Sequence, residues 1–287
     1  MNRMYKMNGN PWASGFRRLW RNRAAMIGLS VFLFICLACI LLPSRLKWDY
    51  FKPVFSDSLK LPSLEHLFGT NVLGRDMLSG VLYGGRNTLR IALSATFLAM
   101  ITGSAVGLIT GYFGGRIDFI ISRVVDLISS IPVILLALAV EYTLGWGKGR
   151  FGYAIAIAAA PQFTRLVRAS VLGIVQCEYI EAARALGVGH FGVIRRHVLR
   201  NVAIPVVVHF SSCFSEAILT CTILGYLVIG INPPMPEWGA LVFRGKEYIF
   251  TKTYLTIFPS LAIIASIISL NFFSNGLRDA LDPRESV

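Results

Sequence analysis

The chain has 287 residues, of which 55% are hydrophobic and only 15% are charged, and its mean hydropathy is +0.62. About a quarter of the residues in a soluble domain are charged, so this composition excludes an ordinary soluble protein and predicts several membrane crossings. The net charge of +13 does not indicate nucleic-acid binding, because the basic residues flank apolar stretches and form no stripe interleaved with aromatic residues.

The N-terminal arm, residues 1–23, contains basic residues and no acidic ones. An apolar stretch at 24–42 follows, longer than the core of a signal peptide and without a convincing cleavage site after it. We therefore predict a retained first transmembrane helix with a cytoplasmic N-terminus. Residues 43–87 then form an external segment, with aromatic residues at its start that suit a membrane interface.

Five more apolar stretches predict further spans, which makes the chain an all-α polytopic membrane protein with six transmembrane helices. Both termini, including the tail at 276–287, and the polar segment at 176–200 would then be cytoplasmic. Lys and Arg are only modestly more frequent on that side, so the acid-free arm is the stronger indicator of orientation. The five spans are expected near residues 88–112, 117–142 (interrupted by Pro132), 151–175, 202–231 and 254–273.

Polar side chains inside the predicted spans are candidate functional groups, because such groups are costly against lipid. His209, Glu216 and Asn271 are the candidates for a substrate path, with hydrogen bonds between helices as the competing interpretation. Arg123 and Asp126 are three residues apart and can form a structural ion pair. The five cysteines show no zinc-ligand spacing, so we expect no disulfide, no metal site and no cofactor on this chain.

The polar segment at 176–200 predicts a short helix that ends at Gly187. Glu181 and Arg184 are three residues apart and can pair, while Ala182 and Ala183 would allow close approach by another protein. From the residues alone, both a docking helix and an ordinary solvated loop helix remain open.

Glu181-Ala182-Ala183 followed by Gly187 resembles the EAA motif of the permease subunits of ABC importers. Other pieces resemble the C-type permease subunit of the oligopeptide, dipeptide and nickel branch of that family. They follow the family order over residues 15–284, at 67–76, 111–115, 123–132, 178–187, 233–239 and 276–284.

This resemblance implies the type I ABC importer permease fold, also called MetI-like, with residues 88–275 as its core. It also implies a second homologous permease subunit, two ATP-binding subunits that hold ATP and magnesium, an external substrate-binding protein, and a place in the bacterial inner membrane. The chain itself would not be an enzyme. The residues expected to couple it to the ATPases are Glu178, Glu181, Ala182, Ala183, Arg184 and Gly187.

Two departures from the family pattern stand out. The family has a proline after the leucine that ends the coupling loop, whereas Leu199 is followed here by Arg200, so the helix entering the fifth span should be less sharply broken. A glutamate expected before the run at 225–230 is replaced by Cys221, and Glu216 lies five residues further upstream.

Short peptides are the leading substrate prediction, with nickel or another metal chelate as the alternative within the family. The four histidines are not clustered, which offers no support for a metal site. A stand-alone secondary transporter or channel should show internal inverted repeats, and none is convincing here. A membrane enzyme would need clustered histidines or carboxylates at one depth, which the sequence lacks.

Overall fold

The computed structural model describes residues 11–144, 150–227 and 235–281. Within these ranges the regular structure is helical, apart from one isolated β-bridge between Thr70 and Asp76. The helices are α1 (Pro11–Arg21), α2 (Arg23–Leu41), α3 (Met77–Phe113), α4 (Gly115–Ser129), α5 (Val133–Leu144), α6 (Arg150–Val175), α7 (Glu178–Ala185), α8 (His190–Val193), α9 (Leu199–Tyr226), α10 (Trp238–Gly245) and α11 (Tyr254–Leu281).

Four helical stretches in the described ranges are long and apolar enough to cross a membrane: Arg23–Leu41, Met77–Phe113, His190–Tyr226 and Tyr254–Leu281. The span predicted at 117–142 is broken, because α4 and α5 meet at an angle of 98°. Counted as one bent crossing, α4 and α5 would add a fifth candidate span to these four. The break coincides with Pro132, which cannot continue a regular helix. The predicted fourth span, α6, is long enough, but polar residues such as Gln162, Arg165 and Arg168 make it less apolar.

Helices α3 and α6 pack in backbone contact, which depends on glycines spaced four residues apart. A Cβ atom on Gly107 would lie 2.5 Å from the carbonyl oxygen of Thr164, and one on Gly111 would lie 2.9 Å from that of Arg168. Gly103 meets the carbonyl of Ala160 in the same way. Small residues let helices approach to backbone contact in lipid. Along this contact the residue numbers of the paired residues increase together in both helices, so α3 and α6 run in the same direction.

Helix α11 packs in the opposite direction against both α2 and α9. A Cβ atom on Gly28 of α2 would lie 2.5 Å from the carbonyl oxygen of Ser269. The hydroxyl of Ser211 in α9 donates to that of Ser274 at 2.8 Å. Hydrogen bonds of this kind hold helices together where the hydrophobic effect cannot.

The segment between α2 and α3 folds over the end of the bundle that carries α10, which we call the α10 end. The hydroxyl group of Tyr254, at the start of α11, is a hydrogen-bond donor to two carbonyl oxygens, that of Lys60 at 2.9 Å and that of Thr70 at 2.8 Å. The Lys60 ammonium pairs with Asp57 at 2.6 Å. The opposite end of the bundle carries α7, and we call it the α7 end.

Helices α3 and α11 are longer than the sequence predicts. The second span was expected to begin at residue 88, but α3 begins at Met77, because its first turns are also buried against α10 through Gly84 and Gly85. The last span was expected to end at residue 273, but α11 continues to Leu281, where Ala280 and Leu281 are buried. The predicted tail therefore begins within a helix, and its residues 282–287 lie outside the described ranges.

Replacing Gly107 by leucine should push α3 and α6 apart, because the group it would meet is backbone and cannot move aside. Overpacking costs about 1–3 kcal/mol, and each kcal/mol shifts Tm by about 2–4 °C in a chain of this size. We expect the midpoint of thermal unfolding in detergent to fall by about 5 °C. Gly173→Ala in α6, where nothing lies near the added methyl group, should melt like the wild type. Equal melting of Gly107→Leu and Gly173→Ala would contradict the packing described.

Candidate functional site

Helix α7 is anchored by one side of its surface and charged on the other. Glu178 and Glu181 lie in its first turn and Arg184 in its last, so each charge has the sign that the helix dipole favours. Ile180 is fully buried. It joins an apolar cluster at the ends of α3, α6 and α9 that also contains Tyr112, Val167, Val171, Val193, Val198 and Val202.

The predicted stop at Gly187 is confirmed. Gly187 has a φ of +82°, a left-handed conformation that favours glycine. Its N–H donates to the carbonyl of Arg184 at 2.9 Å, and the N–H of Val188 donates to that of Ala183 at 3.1 Å. This pair of hydrogen bonds is a Schellman motif, which satisfies the last carbonyls of α7 and turns the chain away from it.

The outward surface of α7 is small, polar and bordered by two large apolar side chains. Ala182 and Ala185 are exposed, as are both glutamates, whereas Ala183 is half-buried. Leu186 is 85% exposed and Phe191 is 76% exposed. We call this surface the α7 face and define it as Glu178, Glu181, Ala182, Ala185, Leu186 and Phe191. Large apolar side chains so exposed beside small ones are typical of a protein contact surface.

Arg184 contacts an aromatic ring instead of the predicted glutamate. Its guanidinium lies 5.5 Å from the centre of the Tyr112 ring, and no ion pair between Glu181 and Arg184 occurs among the described residues. The Tyr112 hydroxyl lies 3.0 Å from Nδ1 of His190. Tyr112, at the end of α3, therefore links both sides of the polar segment, a role that the sequence did not reveal.

The chain enters α9 without the break that a proline would cause. Residues from His190 to Tyr226 form one continuous helical stretch that includes a π-helical turn at Ile194–Val198. Arg200 lies just after this turn. The side-chain amide of Asn201 lies 3.3 Å from the Tyr179 hydroxyl and so ties the start of α9 to α7.

The ion pair near the α7 end joins different residues from those predicted. Arg168 of α6 binds the Asp118 carboxylate of α4 through two nitrogens, at 2.5 Å and 2.7 Å. Arg123 lies over the ring of Phe119 at 5.3 Å, and no ion pair joins it to Asp126 in the described part of the chain. The pair expected within one helix is thus replaced by a bidentate pair between two helices.

The three candidates for a substrate path occupy different positions. Glu216 is exposed on α9 and accepts a hydrogen bond from the side-chain amide of Gln162 on α6 at 3.3 Å. His209 is half-buried two turns earlier on the same face of α9 and interacts electrostatically with Glu216. Its ring packs edge-to-face against Phe163, with the ring centres 4.7 Å apart. Asn271 is exposed on α11. No hydrogen bond within the described ranges links it to either of the other two.

At the α10 end, Glu237 is a fully buried carboxylate outside the helices that could span a membrane. It accepts hydrogen bonds from the hydroxyl of Thr88 at 3.0 Å and from the N–H of Ala240 at 2.9 Å. Its neighbour Trp238, also fully buried, donates its indole N–H to the carbonyl of Val81 at 2.8 Å. Burial raises the pKa of Glu237 to about 7, although its hydrogen bonds act to lower it.

Glu237 also fills the region where the expected glutamate is missing. Its carboxylate lies against Gly225, leaving no space there for a side chain. The buried Cys221, which stands at the expected glutamate position, lies one turn before Gly225 on α9. A carboxylate is therefore present in this part of the bundle, but it comes from the segment before α10 and not from α9.

The sequence matches two known protein families. Residues 103–287 match the family described as the binding-protein-dependent transport system inner membrane component, and residues 10–62 match the N-terminal transmembrane domain of oligopeptide transport permease C. The chain belongs to this family of transport permeases. It is therefore an inner-membrane, multi-pass transport component and not an enzyme.

Relatives of known description match nearly the whole permease. A dipeptide transport system permease from Alkalihalophilus pseudofirmus is 37% identical over 96% of this chain and 90% of its own length. A glutathione transport system permease from Pectobacterium atrosepticum is also 37% identical, over 96% and 91%. A di/tripeptide transport system permease from Pseudomonas aeruginosa is 34% identical over 95% and 93%.

A solved structure supports the fold of the permease. A chain of the MetNI methionine ABC transporter in an inward-facing conformation superposes with a TM-score of 0.59, at 18% identity, over 72% of this chain and 98% of its own. The predicted MetI-like, all-α architecture is thus confirmed.

Glu237 should make the stability of the permease depend on pH. Its folded pKa of about 7 lies above its ordinary value of 4.5, so between these values the folded state holds a proton that the unfolded state has lost. Stability therefore falls as pH rises through this window, by up to ~1.4 kcal/mol per pH unit, and changes no further above it. Thermal unfolding in detergent at several pH values measures the effect. Glu237→Gln should lose this part of the pH dependence, and an unchanged dependence in the variant would contradict the assignment.

Proposed function

We propose that this chain is a permease subunit of an ATP-driven importer that passes short peptides across the bacterial cytoplasmic membrane. The observation that carries this proposal is the similarity, at 34–37% identity over nearly the whole chain, to relatives named for transport of dipeptides, glutathione and di- or tripeptides. No feature of the described residues favours a nickel or metal chelate over a peptide. The groups of His, Cys, Asp and Glu in these ranges include no metal-binding cluster.

The proposal includes six spans with both termini in the cytoplasm. The parallel packing of α3 and α6 supports it, because two parallel neighbours require the chain between them to return across the bundle. The bent pair of α4 and α5 supplies that return. With α2, α9 and α11 the proposed arrangement has six crossings, and in it the α7 end would lie in the cytoplasm and the α10 end outside. The acid-free N-terminal arm agrees with this orientation.

The proposed complex contains a second homologous permease subunit, two ATP-binding subunits and an external substrate-binding protein. ATP and magnesium would be held by the ATP-binding subunits. The α7 face would contact one of those subunits, with Glu181 as a polar contact and Ala182 as the close-packed centre. Gly187 would set the turn that presents this face. Ala183 is half-buried, and we propose that it contributes to coupling by supporting α7 beneath this contact.

Movement of α7 would be transmitted to the transmembrane helices through specific contacts. Ile180 packs against α6 and the start of α9, while Arg184 and His190 both contact Tyr112 at the end of α3. A push on α7 would therefore act on several helices as one body, as a switch between two packed arrangements requires. We assign His209 and Glu216 on α9 and Asn271 on α11 to the path that opens and closes.

Ala182→Trp and Gly187→Leu should uncouple ATP hydrolysis from peptide uptake. The tryptophan would fill an exposed surface without disturbing the fold, and the leucine would be strained at a φ of +82° although nothing lies near it. With the full complex in proteoliposomes, we expect uptake of a labelled dipeptide to fall at least about tenfold while ATPase activity persists. Ala182→Ser, which keeps the side chain small, should behave as the wild type. Normal uptake by Ala182→Trp would contradict the coupling role.

The same preparation tests the substrate. The wild-type complex, supplied with its external binding protein, should import di- and tripeptides and not a nickel chelate. Uptake of the nickel chelate alone would overturn the peptide assignment and leave the permease assignment intact.

A further inference from the structure

In the six-span arrangement proposed above, Glu216 and Gln162 would lie near the middle of the membrane. Glu216 is about ten residues from the end of α9 at Tyr226, or about 15 Å along the helix at 1.5 Å per residue. Gln162 is about twelve residues, or about 18 Å, from the start of α6 at Arg150. Both ends belong to the α10 end, so the two side chains meet at half the roughly 30 Å thickness of the hydrocarbon layer.

The Glu216 carboxylate at this depth is exposed and lacks a cationic partner. Its Oε2 accepts the amide proton of Gln162 at 3.3 Å, while its Oε1 has no hydrogen-bond donor and neither oxygen an ion-pair partner in the described part of the chain. An ionised group facing lipid at mid-membrane is strongly unfavourable. This side of α9 must therefore face water, a substrate or another polar surface in the assembled complex.

Neighbouring groups leave the carboxylate available to a cation. His209, two turns away on the same face, interacts electrostatically with Glu216 and with Arg278 of α11. Arg278 lies only about one turn from the end of α11 at Leu281, far from the depth of Glu216. The Gln162 amide donates one proton and keeps a carbonyl oxygen that can accept another. The pair thus offers acceptor oxygens and negative charge at one point.

We infer that Glu216, held by Gln162, binds the α-ammonium group of the peptide as it passes through the permease. This inference rests on the proposed function. An ammonium group has three donors and no acceptor, which matches Oε1 of Glu216 and the carbonyl oxygen of Gln162. Every unmodified peptide carries this group at its N-terminus, whatever its side chains. A site that binds only the N-terminal ammonium group would select peptides as a class and accept many peptide sequences.

The test compares a tripeptide with its N-acetylated form, which has lost the positive charge. Both are loaded on the binding protein, whose affinity for each is measured separately, and uptake by the full complex in proteoliposomes is followed. The wild type should transport the free tripeptide with the higher kcat/KM. Glu216→Gln should reduce this preference at least about tenfold, because a charge-assisted hydrogen bond becomes a neutral one. Glu216→Asp should retain part of it, and Glu65→Gln, a change in the exposed segment before α3, should retain all of it.

Zero-length cross-linking with a carbodiimide gives a second readout that does not depend on a variant. The wild-type complex, held during turnover, should yield an amide between Glu216 and the free tripeptide, identified by mass spectrometry, and none with the acetylated tripeptide. A cross-link from Glu216 to a side chain of the second permease subunit would overturn the inference and assign the carboxylate to the subunit interface. An unchanged preference for the free tripeptide in Glu216→Gln would overturn the inference and leave the proposed function intact. Failure of the wild type to import either tripeptide would overturn the proposed function, and the inference with it.

Discussion

Backbone contact between α3 and α6 is the constraint on which the rest of the bundle depends. Gly103, Gly107 and Gly111 place one helix directly on the carbonyl groups of the other over more than two turns. Because lipid gives helices no hydrophobic reason to associate, such close packing must supply much of the attraction. The contact also fixes α3 and α6 as parallel neighbours. That direction requires α4 and α5 to return across the bundle, and it brings Tyr112 and Val171 together beneath α7.

The two ends of this frame are built for different tasks. At the α10 end, the buried side chains of Glu237 and Trp238 hold α10 against α3 and α9. At the α7 end the anchor is a small apolar cluster around Ile180, and the surface beyond it is exposed. Between them, Glu216 places an exposed carboxylate at mid-depth. A transport subunit needs this combination of a rigid frame, a contact surface and a polar path.

The order of elements, the helical class and the stop at Gly187 could all be predicted, because apolar length and glycine conformation are local properties of the sequence. Contacts between distant residues could not. The local pattern indicated pairing of Arg123 with Asp126, but Arg168 reaches Asp118 from another helix and binds it through two nitrogens. The amide of Gln162, a polar residue next to Pro161 in an apolar stretch, was a visible signal whose partner only the fold revealed. Hydropathy alone does not fix the number of spans, because Arg165 and Arg168 make α6 too polar for a simple apolarity test.

The most direct test of the central claim, that the α7 face contacts an ATP-binding subunit, is site-specific cross-linking in the assembled complex. Ala182→Cys lies at the centre of that face, and Leu64→Cys, at a position that is 99% exposed, lies at the α10 end as the control. Cys177, beside α7, is replaced by serine in both. We predict that Ala182→Cys cross-links to an ATP-binding subunit and that Leu64→Cys does not. A cross-link from Leu64→Cys to that subunit, or none from Ala182→Cys, would contradict it.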